Sequence, residues 1–281
     1  MGVLDGKIAI ITGGTSGIGE RTAELFVEEG ATVVIAGRRQ EVGEALAARL
    51  GQSASFVRTD VNREEDIKAL IEGTVARFGR LDCLFGNAGS GGPPVSITEL
   101  EVEKFDAMMG VLVRSVAIGM KYAGIAMLKQ GSGSIINTSS IGAWRGGGAS
   151  HTYCAAKAAV SHLTRCVATE LGEHGIRVNS ISPGAIVTGI FAKGVGLDAG
   201  AADRATQELM DRFAKAQPIP RAGLPDDIAR AALYLASDAS GFVNGHDLVV
   251  DGGMITGTRF SQTVAGRRDL YAALRAEIER D

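Results

Sequence analysis

With 281 residues, 45% of them apolar and 22% charged, the chain can bury a sizeable core and does not have the composition of a disordered one. A net charge of −3 gives no basic footprint, so nucleic acid is not an expected partner. Three scattered cysteines (Cys83, Cys154, Cys166) and four histidines without ligand spacing offer neither a disulfide framework nor a metal site.

The opening stretch, Met1 to Lys7, lacks the charged and apolar regions of a signal peptide, so a cytoplasmic location is the expectation. Lys7–Thr12 is a short, nearly unbroken apolar run, as a buried parallel strand requires. The glycine run Gly13-Gly14-Thr15-Ser16-Gly17-Ile18-Gly19 follows at once, then a helix over Glu20–Glu29 that stops at Gly30. Thr32–Ala36 reads as a second strand and Gln40–Leu50 as a second helix. The alternation continues through strand Ala54–Val57, helix Glu64–Phe78 and strand Leu81–Phe85. A long helical region then spans Glu99–Leu128. Its most apolar part, Val111–Leu128, is interrupted by Arg114 and Lys121, so it is not expected to span a membrane. Strand Ser134–Thr138, helix Cys154–Leu171, strand Ile176–Ile181, helix Pro225–Ser237 and strand Leu248–Val250 complete the series.

Seven strands alternating with helices imply an α/β fold: one doubly wound domain over residues 1–281, its parallel seven-stranded sheet covered on both faces. Two segments stand apart. Residues 190–217 form an insertion with a helical middle, Asp203–Phe213, placed to act as a lid. In the tail, 254–281, Leu270, Leu274 and Ile278 recur every fourth residue on a helix with an Arg/Glu-rich outer face. That helix could cover a pocket, dock on its own subunit or reach a neighbour.

Two patterns carry chemistry. The glycine run lies between the first strand and the first helix, where a helix N-terminus receives pyrophosphate and glycines let the backbone approach closely. Its spacing, Gly13-x-x-x-Gly17-x-Gly19, differs from the common G-x-G-x-x-G. Farther on, Tyr153-x-x-x-Lys157 places a phenol and an ammonium on one helix face. A cation there favours the phenolate, and so makes a general acid/base of the tyrosine.

Taken with Asn87-Ala88-Gly89, and with Ser140 thirteen residues before Tyr153, these motifs resemble those of the short-chain dehydrogenase/reductase family. Pro183-Gly184-Ala185-Ile186-Val187-Thr188 and Asp251-Gly252-Gly253 extend the resemblance, which covers Leu4 to Gly253. It implies a Rossmann fold, a nicotinamide cofactor and a homotetramer. It also implies that Tyr153 exchanges a proton with the substrate, that Lys157 lowers its pKa and that Ser140 orients the substrate oxygen. Gly13, Thr15, Ser16, Gly17, Ile18, Gly19, Asn87, Ala88 and Gly89 would line the cofactor, with Asp60 and Val61 at its adenine. Pro183, Gly184, Ile186 and Thr188 would hold its nicotinamide end, and Tyr153 and Lys157 its ribose.

The second strand is followed by Gly37-Arg38-Arg39 in place of a carboxylate. Two guanidinium groups suit a 2′-phosphate, so NADP(H) is favoured over NAD(H). Ile141, Ala143, Trp144, His151, Ala185 and Phe191 would wall a mainly apolar substrate pocket. Trp144 could equally be core or a subunit contact, and His151 could merely cap its helix. One position departs from the family pattern: Leu112 stands where an asparagine usually helps hold a water beside the lysine, and Ser115 lies three residues beyond. The expected activity is interconversion of a secondary alcohol and a ketone on an apolar small molecule, cyclic ones included. A 3-oxoacyl-carrier reductase is the alternative within the enzyme class, and a catalytically lapsed cofactor-binding regulator the alternative outside it.

Overall fold

Five of five residues in the first strand, Ile-Ala-Ile-Ile-Thr, are buried, so this strand has no solvent face to offer. The computed structural model describes residues 2–92, 94–189 and 199–280, with the backbone alone for 199–205. Its seven strands are β1 (Ile8–Thr12), β2 (Thr32–Gly37), β3 (Ala54–Arg58), β4 (Cys83–Gly86), β5 (Gly133–Thr138), β6 (Ile176–Pro183) and β7 (Asp247–Val250). They form one parallel sheet in the order β3-β2-β1-β4-β5-β6-β7.

Helices α1 (Gly17–Glu28), α2 (Gln40–Leu50), α3 (Glu64–Phe78), α4 (Val102–Met109), α5 (Ser115–Gln130) and α6 (His151–Gly172) alternate with the strands. After β6 come α7 (Ala199–Ala216) and α8 (Pro225–Ala236), and after β7 comes α9 (Phe260–Ile278). Alternate residues of β1 face opposite layers. Ile11 joins Phe26, Phe85, Ile228 and Leu235 in the core under α1 and α8. Ile10 joins Leu70, Leu84, Met120, Met127 and Val160 under α3, α5 and α6. Strand order reverses between β1 and β4, and a crevice opens there at the carboxyl ends of the strands.

Two differences from the sequence expectation have physical causes, and one open reading of the tail is narrowed. The helical region predicted over Glu99–Leu128 is broken by a π-helical turn, Gly110–Arg114, between α4 and α5. Its full length, Val102–Gln130, is long and apolar enough to cross a bilayer, but Val116, Met120, Ala123 and Met127 pack against the sheet. Helix α6 starts three residues earlier than predicted because the Ser150 hydroxyl caps it, accepting the Tyr153 N–H at 3.3 Å. Of the placements left open for the tail helix, docking on its own subunit is not seen for α9 among the described residues. None of its residues is buried, and Leu270, Leu274 and Ile278 are 56%, 52% and 75% exposed. Helix α7 contains the predicted helical middle of the insertion, while Phe191 lies outside the described residues.

Candidate active site

The crevice is pinned at its base by Thr12, the last residue of β1. Its hydroxyl donates to the Phe85 carbonyl (3.4 Å) and accepts the N–H groups of Asn87 (3.0 Å) and Ala88 (3.1 Å). The Asn87 amide returns the tie, donating to the carbonyls of Thr12 (3.3 Å) and Gly13 (3.4 Å). Gly13 needs to be glycine twice over: its φ is +64°, and a Cβ would lie 2.8 Å from Ala88 Cα. A Cβ at Gly19 would lie 2.3 Å from the Gly13 carbonyl oxygen. The loop is therefore bare backbone pressed against the end of β4.

Helix α1 leaves this loop with Ser16 at its N-cap and no side-chain capping bond. Its first N–H groups thus lack a side-chain cap and suit an anion. A dinucleotide pyrophosphate fits that cradle.

The paired arginines divide. Arg39 donates to the Thr15 carbonyl (2.9 Å) and hydroxyl (3.0 Å), so its guanidinium braces the glycine loop rather than standing free to clamp a phosphate. Arg38 is exposed and has no hydrogen bond or ion pair among the described residues. Asp60 accepts the Asn62 N–H (3.0 Å) and side-chain amide (3.1 Å) on Oδ1, leaving Oδ2 unengaged, while half-buried Val61 packs against the core under α3.

The reacting side is carried by β5 and α6. Ser140 caps a short turn, Ile141–Ala143, accepting the Gly142 N–H at 3.1 Å. Tyr153 and Lys157 stand one turn apart at the head of α6, with the Lys157 Nζ 5.6 Å from the Tyr153 ring centre. Nζ donates to the Thr138 carbonyl at 2.7 Å, and the lysine is 4% exposed. Burial pushes the Lys157 ammonium down to about 8. Burial also pushes the Tyr153 phenol up, against a smaller downward pull from Ser140. That direction is opposite to the one expected from the sequence, and its largest cause is removal of the phenol from water.

A cavity of about 150 Å³ brings the three predicted catalytic residues together with part of the predicted cofactor set. Ile18, Asn87 and Gly89 line it on the glycine-loop side, Ser140, Tyr153 and Lys157 on the α6 side, and Pro183, Gly184, Ile186 and Thr188 after β6. A larger hollow of about 540 Å³, between Asn62, Asp106, Met109 and Arg114, holds none of the predicted catalytic groups. Leu112 is fully buried and lines the smaller cavity from the π-helical turn, so the departure at this position falls inside the site. Ser115 offers no substitute, because its hydroxyl donates back to the Val111 carbonyl (2.5 Å).

The predicted substrate residues are not gathered in this way. Ile141, Ala143, Trp144, His151 and Ala185 do not line the cavity. Trp144 is 51% exposed, yet its indole N–H is tied to Asp247 Oδ2 (3.1 Å) and Ser182 Oγ (3.3 Å), so it is neither core nor loose. His151 is exposed, and Ser150 is the cap in its place. Ala185 is half-buried, and its carbonyl accepts the Gly223 N–H (3.2 Å).

Sequence reasoning missed Thr12, Thr138, Ser150 and Asp247. A serine three residues before Tyr153 is a recognisable cap signal. A carboxylate opening an apolar strand is a recognisable oddity. Thr138 acts through its carbonyl, which no side-chain pattern reports.

A parallel sheet with a glycine-lined switch point and a Tyr/Lys/Ser cluster gathered in one cavity is the arrangement of an oxidoreductase that takes a nicotinamide cofactor. A family model described as enoyl-(acyl carrier protein) reductase matches residues 13–255. Momilactone A synthase of Oryza sativa subsp. japonica is 44% identical over 255 residues, covering 89% of this chain and 90% of that protein. Secoisolariciresinol dehydrogenase of Forsythia intermedia is 42% identical, covering 89% of each chain. A 2,5-dichloro-2,5-cyclohexadiene-1,4-diol dehydrogenase of Sphingobium indicum is 41% identical, covering 90% of this chain and 98% of that one. The chain belongs to the short-chain dehydrogenase/reductase family.

Proposed function

We propose that the protein interconverts a secondary alcohol and a ketone on an apolar small molecule, with NADP(H) favoured over NAD(H). The observation that carries this reading is one cavity in which Ser140, Tyr153 and Lys157 meet residues of the glycine loop and of the segment after β6. The bound nicotinamide would supply or accept the hydride. The glycine loop and the open end of α1 would hold its pyrophosphate, and Ile186 and Thr188 would flank its ring.

Tyr153 is then the acid/base. Its upward-shifted phenol is protonated near neutrality, ready to donate to a carbonyl oxygen in the reducing direction. Lys157, fixed by the Thr138 carbonyl, keeps positive charge beside that oxygen as the proton leaves. Ser140 orients the substrate oxygen, and Leu112, buried and lining the same cavity, brings no hydrogen-bonding group to it.

Arg38, exposed after β2 and without a polar partner among the described residues, supports the NADP(H) preference, with Arg39 acting through the loop it braces. The dehydrogenases named above, one of them acting on a cyclohexadiene diol, support a ring-bearing alcohol as substrate. The exposed apolar positions of α9 accord with a homo-oligomer, a tetramer by family resemblance. The test is a panel of apolar cyclic alcohols and ketones assayed by nicotinamide absorbance with both cofactors. Turnover of cyclic secondary alcohols, faster with NADP⁺, is expected; turnover confined to carrier-linked acyl substrates would move the assignment to the reductase alternative.

A further inference from the structure

Asp247, the first residue of β7, is a carboxylate only 6% exposed. It has no cationic partner among the described residues; four contacts from three neutral side chains surround it. Ser161 donates at 2.7 Å, Ser182 lies 2.9 and 3.0 Å from its two oxygens, and the Trp144 indole donates at 3.1 Å. A buried charge so placed is costly unless every lone pair is met, and it orders the hydroxyls that meet it.

Two of these donors lead directly to the reacting residues. Ser182 Oγ also lies 3.2 Å from the Ser140 carbonyl. Ser161 Oγ is 2.6 Å from Ser139 Oγ, which itself lies 3.0 Å from the Lys157 carbonyl. A hydroxyl has one proton to give. With Ser161 committed to the carboxylate, Ser139 must donate to Ser161, so the chain Ser139→Ser161→Asp247 runs one way. Ser139 then has no proton for the Lys157 carbonyl, and Ser182, donating to Asp247, has none for the Ser140 carbonyl, so those two oxygens meet their neighbours as packing contacts. Trp144 closes the third side, at the far end of the turn that Ser140 begins.

We infer that Asp247 is a positioning residue: its carboxylate fixes the Ser139–Trp144 turn against α6, and so sets Ser140 relative to Tyr153 and Lys157. The inference rests on the dehydrogenase reading above. Its structural half can be read without turnover, because Trp144 is the sole tryptophan of the chain and its fluorescence reports this clamp alone.

Asp247→Asn retains an acceptor for Ser161 and Trp144 and offers Ser182 a donor, so it should keep emission and kcat within about twofold of the parent. Asp247→Ala removes the acceptor. It should shift Trp144 emission to the red, raise its quenching by acrylamide about twofold, and lower kcat about tenfold with the cofactor KM little changed. Should Asp247→Ala not fold, Ser182→Ala removes the oxygen packed against the Ser140 carbonyl together with one donor to Asp247 and the weaker acceptor of Trp144. Then kcat should fall severalfold, with Trp144 still held by Asp247 and its emission shifted less than loss of that carboxylate would shift it. Unchanged emission in Asp247→Ala, or an unchanged kcat in a folded Asp247→Ala or in Ser182→Ala, overturns the inference. Absence of dehydrogenase turnover in the parent protein would instead sink the functional reading, and the emission shift would still establish the clamp.

Discussion

The two walls of the cavity are built by different means. The cofactor wall is backbone: Gly13 and Gly19 are squeezed against Ala88 and Asn87, and one threonine hydroxyl ties two strand ends together. The reacting wall is side chain: a serine turn held through Ser182, and a lysine held by a single carbonyl. Backbone walls tolerate almost no substitution at the contact, because nothing there can rotate away. Side-chain walls tolerate more change in shape, but their chemistry fails with the loss of one group.

The largest expected effect lies on the reacting wall. Tyr153→Phe preserves packing and removes the proton, so kcat should fall about 10³-fold while cofactor affinity, read by fluorescence titration, stays put. A residual rate within about tenfold of the parent would break the assignment of Tyr153 as acid/base.

Lys157→Met should likewise abolish turnover, yet stabilise the fold. Burial holds the ammonium near 8 against an ordinary 10.5, so below about 8 both folded and unfolded chains are protonated and the folded one carries the whole cost of the buried charge. Between about 8 and 10.5 the unfolded chain binds more protons, so stability rises with pH through that window, by about 3 kcal/mol in all. Thermal melts of the methionine variant should show a higher Tm near neutrality and lose that rise.

On the cofactor wall, Gly19→Ala must displace the Gly13 carbonyl that a Cβ would meet at 2.3 Å. About 2–4 kcal/mol of stability and at least tenfold in cofactor affinity should be lost. An unaffected variant would show that the loop yields, and erase the contrast between the walls.

The smallest effect separates the arginines. Arg38→Ala should raise the NADPH dissociation constant about tenfold and leave NADH within twofold. Arg39→Ala should weaken both alike, because it loosens Thr15 beneath either ligand.

The difference between the walls also explains what the sequence could reveal. Glycine spacing, a strand before it and a helix after it are local, so the loop at Gly13–Gly19 and the pair Tyr153/Lys157 were legible by position. The network around Asp247 was not, because Ser161, Ser182 and Asp247 sit on three different elements and Ser139 just past a fourth, so they meet only when β5, β6, β7 and α6 assemble. Arg39 was legible as a cation but not as a brace, since nothing local says that its guanidinium reaches back to Thr15. The pKa of Tyr153 was misjudged for a related reason: spacing brings a lysine near, and only the packed structure reveals how little water either group retains. The exposed face of α9 belongs to the same class, because apolar periodicity marks a surface without marking what covers it.

The π-helical turn at Gly110–Arg114 has a genetic consequence. A π turn absorbs one extra residue while the helix on either side keeps its angular phase. Deleting a residue such as Val113 should therefore let α4 and α5 run on as one regular helix, with Val116, Met120, Ala123 and Met127 still facing the sheet. A deletion between Tyr153 and Lys157 enjoys no such allowance: each residue lost rotates the downstream part of the helix by about 100° and swings the lysine away from the phenol. Single-residue deletions in this chain should thus be survivable beside Leu112 and fatal to function one helix later.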